Sequence, residues 1–195
     1  MSVRRQISES NGIYFITFTC ARWLPLFQVT NGYQLVYEWF NYLTMNGNYV
    51  VGFVIMPEHV HAIIAFRQSA KSINTIVGNG KRFIAYGLVE LLKQNNRIDI
   101  LQQLSSWVNT TDRKRNKQHE VFEPSFDKKE CYTTDFIIQK LDYIHLNPCR
   151  YKTALANKPE DYLHSSAKYY LTGEQGIYEV THYAALLDID LTKAL

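Results

Sequence analysis

The sequence predicts an α+β fold in which an antiparallel sheet has helices packed on one face. Three observations support this class. An early segment rich in β-branched and aromatic residues predicts a strand, two short apolar runs split by a proline predict a hairpin, and two longer segments with apolar residues at helical spacing predict helices. The order strand, helix, hairpin, helix is that of a ferredoxin-like arrangement.

The first half of the chain carries the clearest local signals. Asn11 and Gly12 form a turn signal ahead of the first strand, and Gly47 suits the C-terminal cap of the first helix. Pro57 and Glu58 separate the two arms of the hairpin. The predicted elements are a strand at 13–20, a helix at 33–46 and hairpin arms at 49–56 and 59–66.

The second half is less regular. Apolar residues on a helical period predict a helix over 72–92, although Gly78, Gly80 and Gly87 each weaken it by roughly 1 kcal/mol relative to alanine, and a break near Gly78 is an open alternative. Residues 93–120 are polar and predict a long mobile connection. A last helix is predicted to start at Thr133 or Thr134 and stop at Asn147-Pro148, followed by an irregular tail from Arg150.

Length and composition fit one domain over 1–195, with a core of about 13–150 and a C-terminal extension of about 151–195. The net charge of +3 means that any nucleic-acid surface is a local patch. Three cysteines without a Cys-x-x-Cys pair argue against a disulfide framework or a structural zinc site. With no signal peptide or bilayer-length apolar run, we expect a cytoplasmic protein that does not enter a membrane.

The tripeptide His59-Val60-His61 is the strongest chemical signal. Side chains two apart on a strand point to the same face, so both imidazoles project together from the second arm of the hairpin. Two paired ring nitrogens can hold a divalent cation. Taken alone, this pattern is more often a pair of core or surface histidines, so its weight comes from neighbouring motifs.

Several motifs, taken together and in this order, resemble one family. The chain is similar to the single-tyrosine HUH transposases, and among them to the REP-associated tyrosine transposases, over roughly residues 13–170. The matching segments are Leu24-Pro25-Leu26-Phe27, Val54-Ile55-Met56-Pro57-Glu58-His59-Val60-His61, Lys81-Arg82-Phe83, Tyr143-Ile144-His145-Leu146-Asn147-Pro148, Pro159-Glu160-Asp161-Tyr162 and Ser165-Ser166.

The resemblance implies a metal-dependent transposase or nuclease that acts as a homodimer on single-stranded DNA bearing hairpins and leaves a 5′-phosphotyrosine link. Its divalent ion, Mg²⁺ or Mn²⁺, would be held by His59 and His61. Because Mg²⁺ prefers oxygen ligands, a third ligand carrying oxygen is expected, and the family slot falls on Glu130, with Asp127 as the alternative.

The sequence departs from the family at the nucleophile. Alignment by eye places Phe126, which has no hydroxyl, where relatives have tyrosine. The nearest replacement is Tyr132, just ahead of the last helix, where backbone N–H groups favour a phosphate. Tyr143 is the other candidate, although its helical spacing from Phe136 favours core packing. The Phe126 substitution also suggests an alternative function, a domesticated protein that binds hairpin DNA without cutting it.

Phosphate contacts are expected from basic residues on the second helix and in the polar connection, although charge runs are often only solvated surface. A third hypothesis for the function is a metal-dependent hydrolase of small phosphate esters. The expected DNA-binding residues are Lys81, Arg82, Arg113, Lys114, Arg115 and Lys117.

Overall fold

A computed structural model of the chain describes residues 10–194. Four strands form one sheet in the order β2-β3-β1-β4, and every neighbouring pair is antiparallel. This order and direction confirm the predicted α+β class and its ferredoxin-like sheet. The strands are β1 (Gly12–Thr19), β2 (Tyr49–Ile55), β3 (His59–Phe66) and β4 (Asp127–Glu130).

Both long predicted helices and the last helix are present, with bounds close to those expected. Side chains cap two of them: the Thr75 backbone N–H donates to the Ser72 hydroxyl, and the Phe136 N–H donates to the Thr133 hydroxyl. The helices are α1 (Leu26–Thr30), α2 (Gln34–Met45), α3 (Ile73–Gln94), α4 (Ile98–Ser106), α5 (Thr110–Lys114), α6 (Thr134–Leu146) and α7 (Ala167–Thr172), with 3₁₀ turns at Ala21–Trp23, Pro159–Asp161 and Tyr183–Asp188.

The predicted hairpin is confirmed. Ile55 pairs with Val60 across the turn, and the Met56 N–H donates to the His59 carbonyl at 2.8 Å. The turn holds Pro57 and Glu58, as the sequence predicted. This turn starts β3 at His59 and so fixes which face both histidines occupy.

Helices cover both faces of the sheet, not one as predicted. Tyr14, Ile16 and Phe18 of β1 pack with α2 and α3 on what we call the α3 face. Phe15 of β1 and Ile63 of β3 pack with α6 on the opposite side, the α6 face. The reason is the composition of β3, which is buried along its whole length and therefore needs cover on both sides.

One further expectation for the second half was wrong, and one open alternative is excluded. The segment 93–120 is not a structureless connection, because it contains α4 and α5 and buries Ile100 and Leu104 in the core. Helix α3 runs unbroken through Gly78. Its Gly80 faces Trp39, and a Cβ there would overlap the indole, so close packing with α2 outweighs the low helix propensity of glycine.

The C-terminal extension follows the outer edge of β2. The Ile55 N–H donates to the His164 carbonyl at 2.8 Å, and the Ser166 N–H donates to the Phe53 carbonyl at 3.0 Å. These bonds satisfy backbone groups that an edge strand would otherwise leave open. Among the described residues, no helix has the length and apolar character needed to cross a bilayer.

Candidate active site

The two histidines lie side by side at the start of β3, on the α6 face. Both are 6% exposed, and their ring centroids are 4.6 Å apart at an interplanar angle of 72°. Their partners across the sheet are Thr19 and Thr17 of β1. The predicted pairing of the imidazoles is therefore present.

The hydrogen bonds of the two rings select the same nitrogen on each. Nδ1 of His59 lies 3.1 Å from Oε1 of Glu58, and Nδ1 of His61 lies 2.7 Å from Oγ1 of Thr17. Within residues 10–194, this leaves Nε2 of each ring for a further ligand. Metal-binding histidines have this arrangement, in which one nitrogen contacts a carboxylate or other oxygen and the second holds the ion.

Glu58 supports the pair from the turn of the hairpin. Although it is only 4% exposed, both oxygens are used, since Oε2 accepts a hydrogen bond from the Tyr151 hydroxyl at 2.9 Å. Burial by itself raises the pKa of Glu58, but the hydrogen bonds of His59 and Tyr151 and the charge of His59 bring the pKa below its usual range. The carboxylate is therefore ionised and orients His59.

His61 is held in its neutral form. Burial, and then the nearby charges of His59 and Lys140, lowers the pKa of His61 to about 3. Neutral imidazole is the form that binds a metal ion, so no proton has to be displaced from this ring at neutral pH.

The histidines form one wall of a cavity of about 700 Å³ that is open to solvent. Its other walls come from β1, the end of α6 and the segment that follows α6. Most of the lining groups are polar, aromatic or basic, which suits a phosphate with an attached base. The lining residues are Thr17, Thr19, Trp23, Glu58, His59, His61, Tyr143, Asn147, Arg150, Tyr151 and Lys152.

Tyr143 and Asn147 reach this cavity from α6. They are four residues apart and so lie on the same side of the helix, one turn from each other. The Tyr143 ring centroid is 5.3 Å from that of His61, and the side chain is 46% exposed. A hydroxyl and an amide oxygen therefore share one cavity with two imidazoles.

Tyr132, the tyrosine favoured from sequence, does not line the cavity. It lies between β4 and the cap of α6, and its side chain is 81% exposed. Tyr143, which sequence spacing assigned to the core, occupies the position beside the histidines. Tyr143 lies between the buried Leu141 and Ile144 of α6, but its own ring is half-exposed and contacts Phe15 and His61.

The structure also separates Glu130 from the histidines. Glu130 pairs with Tyr14, whose side chain is in the α3-face core, whereas Thr17 and His61 pair on the α6 face. Lys128, two residues earlier, donates to Asn74 of α3, which confirms the direction of this row of side chains. The sheet lies between Glu130 and the proposed metal.

Asp127 begins β4, and Phe126 directly precedes it. Asp127 pairs with Thr17 and shares the histidine face, but it is exposed and does not line the cavity. Phe126 packs against the α3-face core. In residues 10–194 there is no group of three His, Cys, Asp or Glu side chains that could hold a metal ion. Asn147, which lines the cavity, carries an amide oxygen on the same side of the sheet as the imidazoles.

The predicted DNA-binding residues divide into buried and exposed groups. Lys81 is 9% exposed and donates to the carbonyls of Glu123 and Ser125 at 2.8 and 3.0 Å, so it fastens the segment before β4. Burial, and then the charge of Lys117, lowers the pKa of Lys81 to about 8. Lys117 pairs with Asp112 and Glu120. Both lysines therefore have partners within the protein, and their contact with DNA stays a prediction.

The remaining basic residues are on the surface. Arg82 and Arg115 line a second cavity of about 530 Å³, together with Tyr86, which is 69% exposed. Arg113 donates to the Ser105 carbonyl at 2.7 Å, and Lys114 is exposed beside it on α5. Arg82, Arg113, Lys114 and Arg115 remain available for phosphate contacts.

Sequence reasoning missed the residues that follow α6. Arg150, Tyr151 and Lys152 line the histidine cavity, although the tail appeared irregular. The signal that could have found them is the spacing of Tyr143 and Asn147 within the matching segment, since one helical turn places both on one side. A proline directly after Asn147 then predicts that the chain turns at this point.

No family model matches the chain, and no curated protein matches it. Among solved structures, it is similar to a REP-associated tyrosine transposase bound to a REP hairpin, with 16% identity and a TM-score of 0.62 over 100% of this chain and 99% of the other. A "putative transposase" from Deinococcus radiodurans R1 has 13% identity and a TM-score of 0.36 over 74% and 95%. The chain therefore has the fold of the REP-associated tyrosine transposase.

Proposed function

We propose that this protein is a metal-dependent transposase or endonuclease that recognises hairpin-bearing single-stranded DNA and cuts it through a 5′-phosphotyrosine intermediate formed by Tyr143. The observation that carries the proposal is the shared cavity, in which the Tyr143 ring lies 5.3 Å from a histidine pair whose Nδ1 atoms are both engaged. The fold of a tyrosine transposase bound to a REP hairpin supports the DNA partner.

The residues present fit a divalent ion. His59 and His61 offer two Nε2 atoms, and Asn147 adds an amide oxygen, with room for substrate oxygens and water. Bound there, Mg²⁺ or Mn²⁺ would polarise the scissile phosphate and offset its developing charge. Glu58 and Thr17 keep the two rings oriented for this task.

Tyr143 supplies the nucleophile. Its hydroxyl oxygen forms a bond to phosphorus while the bond from phosphorus to the 3′ oxygen breaks, and the tyrosine proton passes through water to the departing 3′ oxygen. The number of phosphodiester bonds is unchanged, so no outside energy source is needed. The link can later be reversed by another 3′ hydroxyl.

Basic residues around Tyr143 suit the charge of the substrate. Lys140 has its ammonium 5.6 Å from the Tyr143 ring centroid, and Arg150 and Lys152 line the cavity. Fixed positive charges in a partly enclosed site favour the phosphate and its more charged transition state. Arg82 and Arg115, in the second cavity, would contact DNA further along the strand.

The proposal is tested by incubating the protein with labelled hairpin-bearing single strands and Mn²⁺, then denaturing the mixture and measuring protein–DNA adduct. We expect adduct with the wild-type protein and with Tyr132→Phe, and none with Tyr143→Phe. Both substitutions remove one hydroxyl from a partly exposed ring, so they are matched.

Two outcomes would overturn the proposal. Adduct that survives Tyr143→Phe and disappears with Tyr132→Phe would return the nucleophile role to Tyr132. Binding of hairpin DNA without adduct in any variant would establish the alternative function, a hairpin-binding protein that does not cut.

A further inference from the structure

Trp23 is an exposed aromatic residue at the mouth of the histidine cavity. Its side chain is 64% exposed, and its ring meets that of His59 edge-on, with centroids 5.6 Å apart and planes at 71°. It also lines the cavity that Tyr143 enters. A tryptophan with this much apolar surface in water, beside a polar cleft, presents a flat face to whatever occupies the cleft.

The backbone at this position is strained. Arg22 and Trp23 both have positive φ, at 50° and 59°, in the left-handed region that favours glycine. For a side chain as large as tryptophan this conformation is rare, and such strain persists only where the surrounding structure enforces it.

Contacts from three directions hold the turn. The Arg22 N–H donates to Oε1 of Glu123 at 2.9 Å, and its guanidinium lies 4.7 Å from the centroid of the Trp107 ring. The Trp23 N–H donates to the Cys20 carbonyl at 3.0 Å. These contacts stabilise the left-handed backbone conformation at Arg22 and Trp23. As a result, the indole lies in solvent beside His59.

We propose that Trp23 is a platform on which a nucleobase of the single-stranded DNA stacks, next to the phosphate at the histidine pair. This inference rests on the proposed function, because it needs a DNA strand in the cavity. Every base has a π face, so aromatic side chains bind single strands with little dependence on sequence. Arg150 and Lys152 in the same cavity suit the backbone of that strand.

Tyr143 lines the same cavity but is the proposed nucleophile, and Tyr86 lines the second cavity. Tyr42 is 50% exposed on regular helix α2, outside both cavities, and supplies a matched control. Since Trp23 is on the surface, its substitution leaves the core intact. Thermal melting of each variant checks this directly.

The test measures the affinity of a labelled single strand by fluorescence anisotropy in EDTA, where no cutting occurs. We expect Trp23→Ala and Trp23→Leu to weaken binding about tenfold and Trp23→Phe to restore most of it, with Tyr42→Ala unchanged. In a set of oligonucleotides that each lack one base, we expect one position beside the cut to weaken binding to the wild-type protein but not to Trp23→Ala.

Equal binding by the wild-type protein, Trp23→Ala and Trp23→Leu would overturn the inference. A parallel Mn²⁺ titration without DNA separates stacking from support of His59, since a fall in Mn²⁺ affinity that matches the loss of DNA affinity would also overturn it. If the wild-type protein binds single strands but forms no adduct, the proposed cleavage is wrong and the proposed stacking on Trp23 is unaffected. Absence of single-strand binding would contradict both.

Discussion

The two faces of the sheet share the same strands but differ in what lies on them. On the α3 face, helices α2 and α3 close a continuous aromatic core around Phe18, Trp39 and Phe40. On the α6 face, a shorter core ends beside His61, and a polar cavity begins. The comparison shows that a residue's face, more than its distance along the chain, decides whether it can take part in the chemistry.

The difference between the faces comes from how their helices end. Helix α6 stops at Leu146, and Pro148 prevents its continuation, so the helix ends beside the first residues of β3. The chain turns there and brings Arg150 and Tyr151 to the cavity instead. On the other face, α3 extends for 22 residues over the α3-face core, and the second cavity lies along this helix, away from the histidines.

The largest expected effect is a loss of Mn²⁺ affinity that occurs for a substitution on the α6 face and not for one on the α3 face. Removing an imidazole with His61→Ala should weaken Mn²⁺ binding by more than about 100-fold, because the loss of a ligand exceeds the 10- to 100-fold loss typical of outer partners. Glu130→Ala, on the α3 face, should leave the affinity unchanged. Isothermal titration measures both. A large loss with Glu130→Ala would break the comparison and restore Glu130 as a ligand.

A smaller effect is expected one contact further from the ion. Glu58→Gln removes the charge that orients His59, so Mn²⁺ affinity should fall about 10- to 100-fold, and Tyr151→Phe should cost less because it removes only one hydrogen bond to Glu58. Glu90→Gln, at an exposed position of α3, is the control. If Glu58→Gln behaves like Glu90→Gln, Glu58 does not position the histidine.

Two glycines of α3 probe the closed face. Gly80→Ala places a Cβ into Trp39 and should lower the free energy of unfolding by about 1–3 kcal/mol. Gly78→Ala meets no atom within 4 Å and should raise it by up to about 1 kcal/mol through helix propensity. Urea unfolding distinguishes them, and a gain in stability for both would mean that the face is not tightly packed.

A further prediction concerns the acid stability of the α6 face. His145 is buried against Ser166, and burial lowers its pKa to about 4. Because the unfolded chain takes up this proton near its ordinary pKa of about 6.5, the free energy of unfolding should fall as the pH drops from about 6.5 to about 4. His145→Gln should remove up to about 2 kcal/mol of that fall at pH 5, measured by urea unfolding in EDTA. Parallel pH curves for both proteins would contradict this.

Much of the local structure could be predicted because local signals are strong. Pro57 and Glu58 between apolar runs fixed the hairpin, and Thr133 marked the start of α6. The helices in 93–120 could not be predicted, because the segment is mostly polar. They are stabilised by the packing of Ile100 and Leu104 into the core, which depends on residues far away in the sequence.

The sequence alone determined that two imidazoles project together, because residues two apart on a strand share a face whatever surrounds them. Only the tertiary structure decided which partners they have. The register of β4 against β1 turns Glu130 and Phe126 to the far side, and the packing of α6 brings Tyr143 and not Tyr132 to the histidines. Both depend on contacts between segments far apart in the chain, which no local pattern encodes.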